Sequence, residues 1–238
     1  MPKNANFRVF FVVSAVIGVL ICSIVFAAQL PKWFHFSQKD ALYEWDEKIF
    51  KNRVLYAVEV NDLNSYLSAY SNNSASGIFY RLKFNPKEEP MVSWKWKVVK
   101  FPEKNNSKIS SQSTGQSWIE KDDYAARFYV IFPKVAFNLT KTLEYVWDKE
   151  LPKGAIMTSP YFKNIKIIVA ESGDENKGEW VYEERNVYED FKKCFGSSPS
   201  NVGAVAIMTD TDNTLSTAEA YYDEIRVGYK NDSEQEKK

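Results

Sequence analysis

The sequence predicts a mainly β protein, a sandwich or barrel, preceded by an N-terminal transmembrane or signal helix. Three observations predict it. From residue 53 onward, short runs rich in Val, Ile, Tyr, Phe and Trp alternate with polar or Gly/Pro turns, the pattern of strands that pack face to face. Aromatic residues make up 16% of the chain while Gly and Pro number only 9 each, so the composition is neither collagenous nor disordered and a substantial core is expected. Val9 to Ala28 is a run of 20 residues without a charge, about 30 Å long as a helix and enough to cross a bilayer.

That run has two readings. Lys3 and Arg8 precede it and the small residues Ala27 and Ala28 end it, which is the grammar of a cleavable secretory signal. Phe26 and the length of the apolar stretch favour retention as an anchor. Cys22 stands where a lipoprotein would carry its lipid, but Ile21 before it is bulky. Residues 1–28 are therefore assigned as signal peptide or membrane anchor. Residues 29–50, with Pro31, Trp33, Phe34, Phe36 and several Lys, read as a juxtamembrane stem at headgroup level. Residues 51–229 form the β domain, and residues 230–238 a charged, disordered tail.

Within the domain the best strands are Val54–Val60, Gly77–Phe84, Met91–Val99, Asp123–Phe132, Ile165–Glu171, Val202–Thr209 and Ala218–Tyr229. In Met91–Val99, Val92, Trp94, Trp96 and Val98 alternate with Ser93, Lys95 and Lys97, so one face is apolar and the other wet. Asp123–Phe132 is apolar on both faces and should be central. Arg127 within it then needs a carboxylate partner. One helix is expected, Asn186–Phe195, from the spacing of Val187, Phe191, Cys194 and Phe195, with Gly196 as its stop.

Charge narrows the function classes. With 31 basic and 31 acidic groups, the chain lacks the unbalanced Lys and Arg that a nucleic-acid partner requires. Loss of Lys3 and Arg8 with the leader would leave 29 basic against 31 acidic groups, or about −2. His35 is the only histidine, so a triple-His zinc site is excluded, and its place in the stem argues against a His-based triad. Cys194 is the only cysteine after the leader. It has no disulfide partner and reads as an inert buried thiol.

Five motifs carry a resemblance: Ser74-Ala75-Ser76-Gly77, Trp94-Lys95-Trp96, Asp122 to Arg127, Glu184 to Asp190, and Ile207 to Thr214. Together they resemble the bacterial domain-of-unknown-function family number 3047 over about residues 50–229. The resemblance implies an exported bacterial protein without an assigned activity, and a jelly-roll architecture similar to carbohydrate-binding modules. Tyr221 to Val227 also resembles the closing strand of galactose-binding-like jelly rolls.

The candidate site residues follow from chemistry. Asp210, Asp212 and Asn213 concentrate hard oxygen ligands of the kind calcium takes, though the same side chains can serve a turn's own amides. Arg127, Trp180, Arg185, Asn186 and Asp223 are the candidate ligand-binding residues. Trp180 precedes an acidic-basic stretch beside a Gly-containing loop, and alternation places Asp223 on one face with Tyr221, Ile225 and Val227. No catalytic set is assigned. Three readings stand: a non-catalytic module for glycan or another polyhydroxylated ligand at the bacterial cell envelope, an envelope structural or assembly protein, or a carboxylate-based glycoside hydrolase. In each the membrane partner is the N-terminal helix, with the domain in the periplasm.

Overall fold

The computed structural model describes residues 29–60, 65–104 and 122–230. Thirteen strands among them form two sheets packed as a sandwich. The first sheet holds β1 (Lys32–Phe34), β3 (Leu55–Glu59), β4 (Tyr66–Asn72), β6 (Met91–Lys100), β11 (Val181–Asn186) and β13 (Thr217–Tyr229), in the order β11-β6-β13-β4-β3 with β1 also against β13. The second holds β2 (Asp46–Lys51), β5 (Ala75–Phe84), β7 (Ala126–Phe132), β8 (Lys141–Asp148), β9 (Ile156–Thr158), β10 (Ile165–Ser172) and β12 (Val202–Asp210), in the order β2-β5-β12-β7-β8-β10-β9. From β4 to β7, and again from β11 to β13, successive strands fall in opposite sheets, the wrapping of a jelly roll.

Each of the seven sequence-derived strands is present. The alternation in β6 sets its faces: Val92, Trp94, Trp96 and Val98 are fully buried while Lys95 and Lys97 are partly exposed. Trp94 stacks on Phe128 of the opposite sheet at 4.5 Å between ring centroids. A buried aromatic pair of this kind adds about 1 kcal/mol beyond its area. β7 lies between β12 and β8, as a strand apolar on both faces should. Sequence reading overlooks β4, β8 and β11 because polar side chains obscure their period. In β8, Thr142, Glu144 and Asp148 are themselves buried.

The helix α1 (Val187–Phe195) starts from Asn186, whose side chain accepts the Glu189 N–H, and ends at Gly196 in the left-handed region. Both caps satisfy groups that a helix leaves open. Phe191 packs against Phe132 at 4.6 Å. Burial pushes the Cys194 thiol up to about 11, so the neutral thiol dominates at neutral pH.

The stem expected over residues 29–50 is instead built into the sandwich. β1 pairs with the last turn-free stretch of β13, with Trp33 opposite Arg226, and β2 pairs with β5. The aromatic group taken for headgroup anchors has a two-residue period. Phe34 and Phe36 point inward and are buried with Trp45, while Trp33 and His35 point outward. Phe34 lies 4.8 Å from Tyr80 and 5.0 Å from Trp45. The domain therefore begins near residue 30, and His35 belongs to it. The leader, residues 1–28, and residues 231–238 of the tail lie outside the described residues. No described helix is long and apolar enough to cross a membrane.

A fragment starting at Gln29 is expected to melt cooperatively. One starting at Lys51 loses the cover over Tyr80, Ile225 and Val227 and should show no sharp near-UV dichroism or cooperative transition, which thermal melts of the two fragments would check.

Candidate ligand-binding face

The outer face of the first sheet carries rings and polar groups together. On β4 the outward residues are Tyr66, Ser68 and Tyr70, and on β13 before residue 224 they are Thr217, Glu219, Tyr221 and Asp223. Tyr221 lies opposite Ser68 on one flank and Lys97 on the other. Tyr66 and Tyr221 stack at 4.5 Å, and Trp180, just before β11, reaches across β6 and β13 to meet Tyr66 edge-on at 5.9 Å. Tyr70 and Tyr182 extend this face and remain exposed. The Tyr221 hydroxyl donates to Glu219 at 2.7 Å.

Asp223 reaches this face through a bulge. Glu224 has φ 47°, and the β13–β6 register shifts between Asp223 and Arg226. The extra residue reverses the alternation: Ala218, Ala220 and Tyr222 point inward before it, Ile225 and Val227 after it. Asp223 thus sits outward with Tyr221, and not on one face with Ile225 and Val227 as alternation predicts. Partial burial raises its carboxyl, and the N–H groups of Glu224 and Phe36, which it accepts, pull in the opposite direction.

The other expected site residues lie elsewhere. Arg127 faces outward from the second sheet yet is only 3% exposed. Its five N–H donors all find acceptors: Nε on Asp210 Oδ1 at 2.8 Å, Nη1 on Glu144 at 2.5 Å and Tyr129 at 3.5 Å, and Nη2 on the Asp122 carbonyl at 2.6 Å and on Asp210 Oδ2. The carboxylate partner that its burial demanded is Asp210, held in a fork. On the core side, the Arg127 N–H donates to Tyr222 of the first sheet, whose hydroxyl donates to the Met208 carbonyl. Arg185 makes a similar fork with Asp190 at 2.9 and 2.7 Å, and Tyr145 donates to the same carboxylate. Asn186 is the helix cap.

The loop after β12 is stapled by Asp123. Its carboxylate accepts the Thr214 N–H at 2.6 Å, the Asn213 N–H at 3.3 Å and the Asn213 side-chain amide at 3.2 Å. Asn213 Oδ1 in turn accepts the Tyr161 hydroxyl. Carboxylate oxygens of Asp123, Asp210 and Asp212 come within 4.8 Å of one another. Asp123 and Asp210 also accept protein N–H groups there, which takes up part of their lone-pair capacity.

Burial governs the charge balance around Arg127. Asp122 is pushed up to about 8 by burial, with Arg127 opposing and Glu144 and Asp123 adding to the rise. A proton on Asp122 therefore offsets part of the excess of carboxylates there. A cleft of about 560 Å³ opens nearby, lined by Lys100, Lys104, Asp123, Tyr124, Trp147 and Lys177 among others. Of its rings, Trp147 and Tyr124 are at most 1% exposed, and the part-buried Phe101 meets Trp147 edge-on at 6.2 Å. At the sandwich edge the Lys153 ammonium lies 2.9 Å from Glu171 and 3.5 Å from Glu183.

Of the expected residues, the structure brings Trp180 and Asp223 to this face; sequence reading sets Tyr221 beside Asp223 without making it a candidate, and overlooks Tyr66. The signal was the outward Tyr66-Ser68-Tyr70 period. Residues 43–226 match the model of a family described as Protein of unknown function (DUF3047). No curated protein matches the chain. Among solved structures, the family 11 carbohydrate-binding module of a Clostridium thermocellum cellulosomal cellulase is similar with TM-score 0.41 at 10% identity, covering 88% of this chain and 99% of that one. The CBM22-1 xylan-binding domain of Paenibacillus barcinonensis Xyn10C gives 0.38 at 11%, covering 86% and 100%. A cellulase derived from Rhodothermus marinus Cel12A gives 0.40 at 12%, covering 76% and 94%.

Two outcomes follow from the buried charges. The unfolded Asp122 carboxyl titrates near its ordinary 3.8 and the folded one near 8, so the folded state holds the extra proton and this group's effect on stability worsens as pH rises from about 4 to about 8. Asp122→Asn should remove that slope and raise the urea midpoint more at pH 8 than at pH 5. Arg127→Met leaves Asp210 and Glu144 buried without their cation and should cost about 3–5 kcal/mol in the same assay.

Proposed function

The chain belongs to the DUF3047 family, and from its side chains we propose that it is a non-catalytic glycan-binding module of the bacterial cell envelope. The observation that carries this reading is the Tyr66–Tyr221–Trp180 stack on the outer face of a sheet. A pyranose presents C–H groups on its faces and hydroxyls around its edge. Aromatic rings answer the first, while nearby Ser68, Lys97, Glu219 and Asp223 supply donors and acceptors for the second. The rings and the polar groups lie within two strands of one another, so a single sugar can meet both.

The apolar run from Val9 to Ala28 supports export and retention at the inner membrane, with the domain in the periplasm; cleavage would release it there. A purely structural role has support from one observation. The motifs Ser74 to Gly77, Asp122 to Arg127 and Ile207 to Thr214 converge on the Arg127–Asp210 fork, where Thr211 and Ser74 exchange backbone and side-chain hydrogen bonds. Those motifs build the sandwich and leave ligand contact to the face.

Titration calorimetry with neutral β-glucans, xylan, mannan, galactan and peptidoglycan fragments tests the reading. Binding to at least one is expected, with Trp180→Ala and Tyr221→Ala each weakening it about tenfold or more at unchanged melting temperature. Absence of binding across the panel by a folded protein would leave the structural role.

A further inference from the structure

Resting on the glycan-binding reading, we propose that the ligand is an extended, uncharged polysaccharide chain laid along β13 across two aromatic stacks. The first stack is Tyr66, Tyr221 and Trp180. The second lies farther along the same strand. Trp33 of β1 is 45% exposed and stacks with His35 at 5.3 Å and 11° between planes. The Arg226 guanidinium lies 4.9 Å from the Trp33 ring centroid and 3.8 Å from that of Tyr229. The Tyr229 hydroxyl donates to Glu184 at 2.7 Å.

Strand pairing places the two stacks in line. β6 runs along one flank of β13, while the other flank is shared: β4 pairs with residues 217–222 and β1 with residues 225–227. Tyr221 and Arg226 are five residues apart, about 15 Å at strand rise. The join is the bulge at Asp223–Glu224. Asp223 accepts the Phe36 N–H, so the carboxylate at the join reaches from the strand of the first stack to the segment that carries Trp33. Rings set along a strand, as opposed to gathered around a pit, suit the interior of a chain several sugars long.

Charge on this face argues for a neutral chain. Lys95, Lys97, Lys100 and Arg226 are interspersed with Glu184, Glu219, Asp223 and Glu224, and Lys95 is paired to Glu224 at 2.7 Å. Four cations against four carboxylates give neither a polyanion nor a polycation a net field to follow.

The test uses the full chain with gluco-, xylo-, manno- and galacto-oligosaccharides, each as a size series from dimer to hexamer, beside polygalacturonate. Affinity in the series that binds should rise about tenfold or more with length. Trp33→Ala should lower hexamer affinity about tenfold and leave the dimer unchanged, whereas Tyr221→Ala should lower both. Length-independent affinity, an intact hexamer affinity in Trp33→Ala, or tighter binding to polygalacturonate overturns the extended neutral chain while glycan binding stands. Binding to no saccharide overturns both readings.

Discussion

One buried guanidinium sets the terms for the second sheet. Arg127 could not be buried with any of its donors unmet, because an unpaired charge in a dry layer costs several kcal/mol. All five donors are met, and the acceptors come from β8, from β12, from its own strand and from the segment that enters it. Register between these elements is therefore fixed by planar geometry as well as by backbone ladders. Through Tyr222 the same residue is tied to the first sheet, so the arrangement of the two layers is coupled at one point. A hydrophobic core tolerates small slips of packing; a fork of parallel N–H···O bonds does not.

This explains why the acidic motifs of the two strands cluster around one point. Asp122, Asp123, Asp210 and the Asn213 turn are close together because they hold the entrance to β7 against the exit of β12. Acidic residues there supply acceptors to backbone N–H groups and to one cation. The aromatic face on the other sheet can then be shaped with little constraint from that network, and its rings are set on strands whose positions are already fixed.

Much of the fold is legible in the chain. Alternation located seven strands, distinguished the two faces of β6 and required a carboxylate for Arg127. Asn186 and Gly196 bounded the helix. What remained hidden has local causes. β8 buries Thr142, Glu144 and Asp148, so its period does not read as apolar. Residues 32–36 alternate inward and outward over too few positions to stand apart from a membrane-proximal aromatic cluster. Asp223 keeps Tyr221 as a neighbour but parts from Ile225 and Val227, because a single residue, Glu224, adopts a left-handed conformation that no pattern of hydrophobicity announces. The aromatic face is half visible: Trp180 and Asp223 are recognisable from context, whereas Tyr66 meets Tyr221 only through strand pairing.

The pairing of β1 with β13 also settles where the two ends of the described domain lie. Lys32 is opposite Val227, and a Cβ on Gly228 would meet the Leu30 side chain at 2.6 Å. The first strand is thus fastened along the last, and the chain enters and leaves the sandwich side by side. A polypeptide joined ahead of residue 29 and one joined after residue 230 would therefore meet at a single end of the domain.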